Sequence, residues 1–439
     1  MTETIEKPAS EPNRRRRIAF VMVGVILVGL VTEATSAIGL YFSLDTHHNF
    51  QDLRQRQELR AIVPRDSEDS VDVVHPFMGW CINPQISQGD EVFGKRIPVN
   101  RLGFIDDQKS IQQRSSDRLI IGITGGSVAW QMTVGADDVI REVLQQSPLF
   151  RDREIRILRI GLSGYKQPQQ LMTVNWLMAL GGEFDAIVNL DGYNELAMSI
   201  TDNYDRKIHT AYPRAWNARM VELIDPRNSA DRMRLLEIDA SRQRSAQRIV
   251  SVPWRWSFTA NVVWLLSDRI ALREKRSLTQ KMLAGHSRRD GLKFAESGPL
   301  QDISSTAEAL EISADTWLRC SVQMHRLLSS SGIAYLHVLQ PNLYHADSKP
   351  LSSEELELGG GHLDDAAHAI KDGYPMLLAR QPELEAAGVE FLDLSGLYAE
   401  EQRTMYSDRC CHFNKEGNDI LARAIAIRLR ELLESSQTD

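Results

Sequence analysis

One stretch decides how this chain is expected to fold: residues 120–130, IIGITGGSVAW. An apolar, β-branched run that stops at two glycines predicts a buried strand followed by a tight turn. The turn presents the Ser127 hydroxyl at the carboxyl end of the strand, where open α/β sheets bind their ligands. Glycines beside a serine allow unusual backbone angles and the approach of a substrate. Two interpretations follow: a nucleophilic serine, or a plain Gly-Gly-Ser turn between a strand and a helix.

Further apolar runs after residue 118 alternate with helix-like segments. The predicted strands are 119–123, 155–160, 186–190, 333–339 and 389–392. The predicted helices are 138–146, 167–180, 307–328, 362–378 and 415–433. Strands that alternate with helices indicate a parallel sheet covered on both faces. We therefore expect an α/β fold, a three-layer α/β/α sandwich of flavodoxin-like type with a five-stranded, mainly parallel sheet.

Composition limits the class of protein. The chain has 439 residues, of which 42% are hydrophobic and 25% charged, as expected of a folded protein with a sizeable core. A net charge of −8 does not favour nucleic-acid binding, so no nucleic-acid partner is expected. The four cysteines lack the paired spacing of a zinc site, and we expect no metal and no cofactor. They are Cys81, Cys320, Cys410 and Cys411.

The N-terminus predicts a membrane anchor. Residues 14–17 are all arginine, and 18–31 are apolar or glycine without interruption. About 20 apolar residues cross a bilayer, so we predict a cytoplasmic tail over 1–17 and a single transmembrane anchor over 18–44. Glu33 would lie near its outer end. The arginines place the tail in the cytoplasm and the rest outside the inner (cytoplasmic) membrane. A cleaved signal peptide, cut at the small residues 34–37, is the alternative.

The chain beyond the predicted anchor is expected to have two parts. Residues 45–117 are expected to form a membrane-proximal approach segment with short hairpins, and 118–439 the main domain. That domain has a long insertion at about 201–305, within which 261–273 predicts an amphipathic helix. Its aromatic residues suggest a lid that stacks on a sugar or a surface that contacts membrane, and the favoured alternative is an insertion with its own small core. The tryptophans are Trp216, Trp254, Trp256 and Trp264.

Three later blocks are expected to meet Ser127 at one edge of the sheet. Gly164 follows the second predicted strand, Asn194 follows the third, and His412 precedes the last helix. This ordered set resembles the serine, glycine, asparagine and histidine blocks of the SGNH (GDSL-like) hydrolase superfamily, over about residues 118–433. The resemblance implies that Ser127 is the nucleophile and His412 the general base. It also implies that Gly164 and Asn194 donate hydrogen bonds to an oxyanion beside the Ser127 amide.

The acid of the triad departs from the family pattern. The usual spacing is Asp-x-x-His, but the residue three positions before His412 is Arg409. Asp408 lies four positions before and is predicted to orient the imidazole, with the loop bulging to absorb the extra residue. Asp419 and Glu416 are the alternatives.

Likeness to exported bacterial members of the superfamily extends to residues 339–342, 348–351 and 100–104. It implies an extracytoplasmic serine acyl hydrolase or O-acyltransferase that works through an acyl-serine. The implied substrate is an acylated small molecule or glycan, such as an O-acetylated envelope polysaccharide. A non-catalytic glycan-binding or assembly protein that keeps the fold is the alternative.

An exported protein also permits disulfides. A bridge between the adjacent Cys410 and Cys411 would be strained, whereas either could pair with Cys81 or Cys320. We expect such a pairing to brace the loop that carries His412.

Overall fold

The structure is a computed structural model that describes residues 14–43, 53–54, 57–58, 60–61, 72–85, 91–217, 219–220, 229–251, 254–287, 294–299, 301–360 and 364–436. The strands are β1 (Asp72–His75), β2 (Gly79–Ile82), β3 (Glu91–Val92), β4 (Lys95–Arg96), β5 (Arg118–Gly125), β6 (Glu154–Arg159), β7 (Ala186–Asp191), β8 (Ala334–Leu339) and β9 (Glu390–Asp393). The helices are α1 (Arg14–Ser43), α2 (Ser127–Gly135), α3 (Asp137–Gln145), α4 (Gln169–Ala179), α5 (Tyr193–Met198), α6 (Ser229–Val250), α7 (Phe258–Ser287), α8 (Phe294–Ser297), α9 (Thr306–Ser329), α10 (Ser353–Glu355), α11 (Asp365–Leu378), α12 (Gln381–Ala386) and α13 (Lys415–Ser435). Most of the predicted cytoplasmic tail lies outside the described residues.

The five predicted strands form one parallel sheet, in the order β6-β5-β7-β8-β9. Strand β5 lies between β6 and β7, with Ile121 opposite Ile157 on one side and Ala186 on the other. This confirms the predicted α/β fold with a five-stranded parallel sheet, and its order is that of flavodoxin-like folds. The chain changes direction across the sheet between β5 and β7, and such switch points bind ligands at the carboxyl ends of the strands.

Helix α2 is a difference from the prediction, which placed the first helix after β5 at residues 138–146. The structure has a helix that starts at Ser127 itself and ends at Gly135, before α3 begins at Asp137. Seven of the nine residues of α2 are buried. A helix buried on nearly every side has no polar stripe, so hydrophobic periodicity does not reveal it.

His337 on β8 is a packed histidine of the core. Its side chain is fully buried. Its Nε2 lies 3.0 Å from Asp191 Oδ1 and its Nδ1 lies 2.7 Å from Ser321 Oγ. Both ring nitrogens therefore have partners within the core.

The chain divides into two compact units, and the sheet belongs to the unit made of Ser70–Asp225 and Leu283–Asp439. The other unit consists of Met1–Asp69 and Pro226–Met282. The middle of the predicted insertion therefore groups with the N-terminal segment. Residues of the insertion and of the N-terminal segment pack together in one small core. The insertion was expected to bury a core of its own. The buried members are Leu40, Leu53, Ala246, Ile249 and Trp264.

Within this second unit, α1 is long and apolar enough to cross a membrane. Its span Arg16–Tyr41 covers 26 residues, more than the ~20 that a bilayer requires. Glu33 of α1 accepts hydrogen bonds from the Ser257 hydroxyl (2.5 Å) and the Phe258 N–H (2.7 Å). A carboxylate at this position satisfies the free N–H groups at the start of α7. Glu33 was expected to reach the membrane interface, and the structure gives it the role of a helix cap.

In the sheet unit, Arg159 at the end of β6 fastens the approach segment to the sheet. Its side chain is 5% exposed and donates to Asp106 Oδ1 and Asp107 Oδ1 at 3.0 Å, and to Asp137 Oδ2 at 3.2 Å. Burial raises the pKa of Asp106 to about 7, although the charge of Arg159 opposes the rise. Without Arg159, Asp106 would be a buried carboxyl with no cation beside it.

We predict that Arg159→Ala lowers the free energy of unfolding by about 3–5 kcal/mol, because it leaves the buried Asp106 carboxyl without a cation beside it. Urea denaturation of the detergent-solubilised protein measures this. The matched control is Arg319→Ala, since Arg319 is 69% exposed in its ion pair with Asp315 and should cost no more than about 0.5 kcal/mol. Equal losses for the two variants would contradict the structural role of Arg159.

Candidate active site

The turn after β5 places Ser127 at the switch point of the sheet. Gly125 has φ +142°, and a Cβ there would lie 2.0 Å from the Leu190 carbonyl oxygen. A Cβ on Gly126 would lie 2.2 Å from the side-chain nitrogen of Asn194. Both positions therefore require glycine. Because Ser127 is the first residue of α2, its N–H has no partner within the helix, and it donates to no other described residue.

The side chains of Ser127, His412 and Asp408 form one chain of hydrogen bonds. His412 Nε2 lies 2.7 Å from Ser127 Oγ, and His412 Nδ1 lies 2.5 Å from Asp408 Oδ2. The two alternative acids lie elsewhere. Asp419 pairs with Lys415 at 2.5 Å and Glu416 contacts Arg403. Of the three candidate acids, Asp408 is the one that hydrogen-bonds to the imidazole of His412.

The four-residue spacing is accommodated by the backbone of the loop. Asp408 Oδ1 accepts the N–H groups of Cys410 (2.9 Å), Cys411 (3.1 Å) and His412 (3.2 Å). The backbone of residues 408–412 thus turns around the carboxylate, and this turn accommodates the extra residue. Asp408 Oδ2 stays free to meet the imidazole.

The contact between Asp408 and His412 shifts the pKa of both groups. Burial lowers the pKa of His412, but the hydrogen bond and the negative charge of Asp408 outweigh it and leave that pKa above its ordinary value of 6.5. Burial raises the pKa of Asp408, but the hydrogen bond and charge of His412, with the backbone N–H groups, leave it below its ordinary value. The carboxylate is therefore ionised at neutral pH, and the imidazole is a stronger base than usual.

Asn194 and Gly164 share a cavity with this chain of side chains. The cavity has a volume of about 520 Å³, and Ser127, Gly164, Asn194 and His412 line it. The Asn194 amide donates one hydrogen bond to the Tyr165 carbonyl at 2.8 Å. An amide nitrogen carries two hydrogens, so a second remains. The Gly164 N–H donates to no described residue. Together with the Ser127 N–H, these groups can receive a developing negative charge.

Glu195 is a buried residue of this region that the sequence analysis did not single out. Its carboxylate accepts the Gln167 N–H at 3.1 Å, the Gln170 amide at 3.1 Å and the Gly192 N–H at 2.8 Å. Burial raises its pKa to about 8. Glu195 therefore ties the loop after β6, which carries Gly164, to the turn between β7 and α5, which precedes Asn194. A glutamate beside an asparagine gives no signal of this role in the sequence.

The loop that carries His412 is held by residues in and beside 339–342 and 348–351. These are the segments noted for their likeness to exported hydrolases. The Asn342 amide donates to the Cys410 carbonyl at 3.2 Å, and the Tyr344 hydroxyl donates to the Arg409 carbonyl. Lys349 pairs with Glu355 at 2.8 Å, with both side chains buried. Glu355 in turn accepts the backbone N–H groups of residues 405 and 406.

The predicted disulfide brace is absent, because Cys81, Cys320, Cys410 and Cys411 are all free thiols. The sulfur atoms that approach each other are those of Cys410 and Cys411, at 3.0 Å. Hydrogen bonds from Asn342 and Tyr344 hold the loop instead.

The approach segment also supports the site. The Trp80 carbonyl on β2 accepts the Tyr165 hydroxyl, and the Met78 carbonyl accepts the Gln169 amide at 2.8 Å. Tyr165 is the residue whose carbonyl holds Asn194. The contacts of the approach segment therefore help to position the side of the cavity that carries Asn194.

The cavity has one cationic side chain that sequence analysis missed. Arg214 lines it, and its Cδ would lie 2.8 Å from a Cβ on Gly164. Its Nε is 3.7 Å from Asp202, which also lines the cavity. In a region with many arginines, nothing in the sequence distinguishes Arg214.

Among the described residues, one cluster has ligand atoms close enough for a metal ion: Cys410, Cys411 and His412, within 4.8 Å of one another. Both nitrogens of His412 are already engaged, one by Ser127 and one by Asp408. The cluster in this arrangement offers two sulfur atoms only.

No protein-family model matches the chain. No curated protein matches it either.

We predict that Asp408→Asn lowers the pKa of His412, because the amide removes the charge that raises it and leaves burial to dominate. The pH dependence of carbethoxylation by diethyl pyrocarbonate, located by peptide mass spectrometry, measures this pKa, since only the neutral imidazole reacts. The wild-type inflection should lie above 6.5. His325 on α9 is the internal control, and its pKa, lowered by burial, should be the same in both proteins. An unchanged inflection at His412 would contradict the contact with Asp408.

Proposed function

We propose that this chain is a serine ester hydrolase or O-acyltransferase of SGNH type. The observation that carries the proposal is the hydrogen-bonded chain Ser127–His412–Asp408, of which Ser127 and His412 line a cavity. A serine hydroxyl is a weak nucleophile unless a base accepts its proton as it attacks. His412 is within hydrogen-bonding distance of that proton, and its raised pKa suits it to the task.

The reaction has two halves. Ser127 Oγ attacks the ester carbonyl carbon while His412 Nε2 takes the hydroxyl proton. The tetrahedral intermediate collapses, the C–O bond to the leaving alcohol breaks, and His412 returns the proton to that oxygen. Water, or the hydroxyl of an acceptor, then attacks the acyl-serine while His412 takes its proton. This second intermediate collapses, the C–Oγ bond to Ser127 breaks, and His412 returns the proton to Ser127 Oγ. Asp408 stabilises the imidazolium formed in each half and holds the ring in place.

The oxyanion of each intermediate would meet the Ser127 N–H, the Gly164 N–H and the second hydrogen of the Asn194 amide. A donor of this kind is worth about 3 kcal/mol, or 10²–10³ in rate. The proposed substrate is an O-acetyl group on a polysaccharide or envelope glycan. The proposed location is the outer face of a cytoplasmic membrane, with α1 as a single-pass anchor.

We predict that Ser127→Ala and His412→Ala remove nearly all turnover of p-nitrophenyl acetate, and that Asp408→Asn reduces kcat at least about tenfold. Asn194→Ala should cost about 10²-fold. A fluorophosphonate probe should label Ser127 in wild-type protein. Correctly folded protein that neither hydrolyses the ester nor takes up the probe would favour the non-catalytic glycan-binding or assembly protein.

For the anchor, we predict that a reporter fused after Asp439 is active only when it is exported, because the arginines at the start of α1 hold the N-terminus in the cytoplasm. Alkaline phosphatase and a cytoplasmically active fluorescent protein provide the two readouts. Replacing residues 14–17 by alanine should reduce the export-dependent signal. Protein that washes off membranes and begins near residue 37 would show a cleaved signal peptide instead.

A further inference from the structure

Two thiols lie beside His412, and no step of the proposed reaction uses them. Cys410 Sγ lies 3.0 Å from Cys411 Sγ. Cys410 lines the cavity together with His412, whereas Cys411 is 2% exposed. We propose that Cys410 and Cys411 are a redox-active dithiol, a modification site that a small-molecule disulfide oxidises reversibly to a vicinal disulfide.

The two thiols differ in the way that an attacking and a resolving thiol differ. The hydrogen bond from Cys411 lowers the pKa of Cys410, and the hydrogen bond of Tyr193 and the charge of His412 add to it against the opposing effect of burial. Burial raises the pKa of Cys411 well above its ordinary value. A thiolate is the reactive form of cysteine. Cys410, which has access to the cavity, is therefore the attacking group.

The chemistry balances in two exchanges. The Cys410 thiolate attacks one sulfur of the oxidant, breaks its S–S bond, forms a mixed disulfide and releases one thiolate. Cys411 then loses its proton, and its sulfur attacks Cys410 Sγ and releases the second thiolate. Two protein thiols become one disulfide, and two electrons and two protons pass to the oxidant.

The new bond would disturb the acid of the triad. The ring that it closes contains the Cys410–Cys411 peptide, and the N–H groups of both residues hold Asp408 Oδ1. Consecutive Cα atoms are about 3.8 Å apart, closer than disulfides ordinarily span, so the loop must rearrange and the bond is easily reduced. Asp408 Oδ1 then loses these N–H donors, and His412 loses its fixed orientation. This consequence for activity rests on the proposed function, whereas the thiol chemistry does not.

The test treats reduced, full-length protein in detergent with dithiodipyridine, which releases one thiopyridone at each exchange. Wild-type protein should release two equivalents, keep no adduct, and give a 410–411 peptide lighter by two hydrogen atoms. Ester turnover should fall at least about tenfold and return with dithiothreitol. Cys411→Ser should release one equivalent and keep the mixed disulfide on Cys410. The matched control, Cys81→Ser, removes a buried thiol and should behave as wild type.

Unreactive Cys410 and Cys411 in folded protein, or a stable adduct on wild-type Cys410, would overturn the dithiol. Closure of the bond with unchanged turnover would overturn its coupling to Asp408. Closure in a protein that shows no ester turnover before treatment would support the dithiol and count against the proposed function alone.

Discussion

The carboxylate of Asp408 is the constraint on which the site depends. One of its oxygens accepts three consecutive backbone N–H groups and the other accepts the imidazole of His412. A hydrogen bond to a charged group contributes more than one between neutral groups, and here one charge organises the whole loop. The loop is in turn fastened from outside, by Asn342 and Tyr344 on its carbonyls and by Glu355 on the N–H groups before it.

The sheet positions the remaining residues of the site, which follow three of its strands. Parallel strands end at one edge, so the residues after β5, β6 and β7 meet there without long connections. Glu195 fixes the second and third of these loops to each other, and Gly126 lets the Asn194 amide pack against the turn that precedes Ser127. Ser127 thus begins the helix that follows a buried strand, His412 lies on a braced loop, and a hydrogen bond joins their side chains.

How much of this could be predicted depends on the range of the interactions involved. The strands were visible because β-branched, apolar runs such as 119–123 are local signals. The four site residues were singled out by the resemblance to the SGNH blocks, and their positions after strands or before a helix predicted that they meet at one edge of the sheet. Helix α2 was not visible, since burial on nearly every side removes its periodicity. Glu195, Arg214 and the grouping of α1 with α6 and α7 depend on contacts between residues far apart in the chain, which no local pattern encodes. The disulfide expectation failed for the same reason.

The central claim is that Ser127 carries the acyl group during turnover, and trapping that intermediate tests it most directly. Protein mixed with p-nitrophenyl acetate and quenched in acid within the first turnovers would be digested and mapped by mass spectrometry. The account predicts an acetyl group on Ser127 in wild-type protein and none there in His412→Ala. An acetyl group on another residue, or turnover in Ser127→Ala at the wild-type rate, would contradict it.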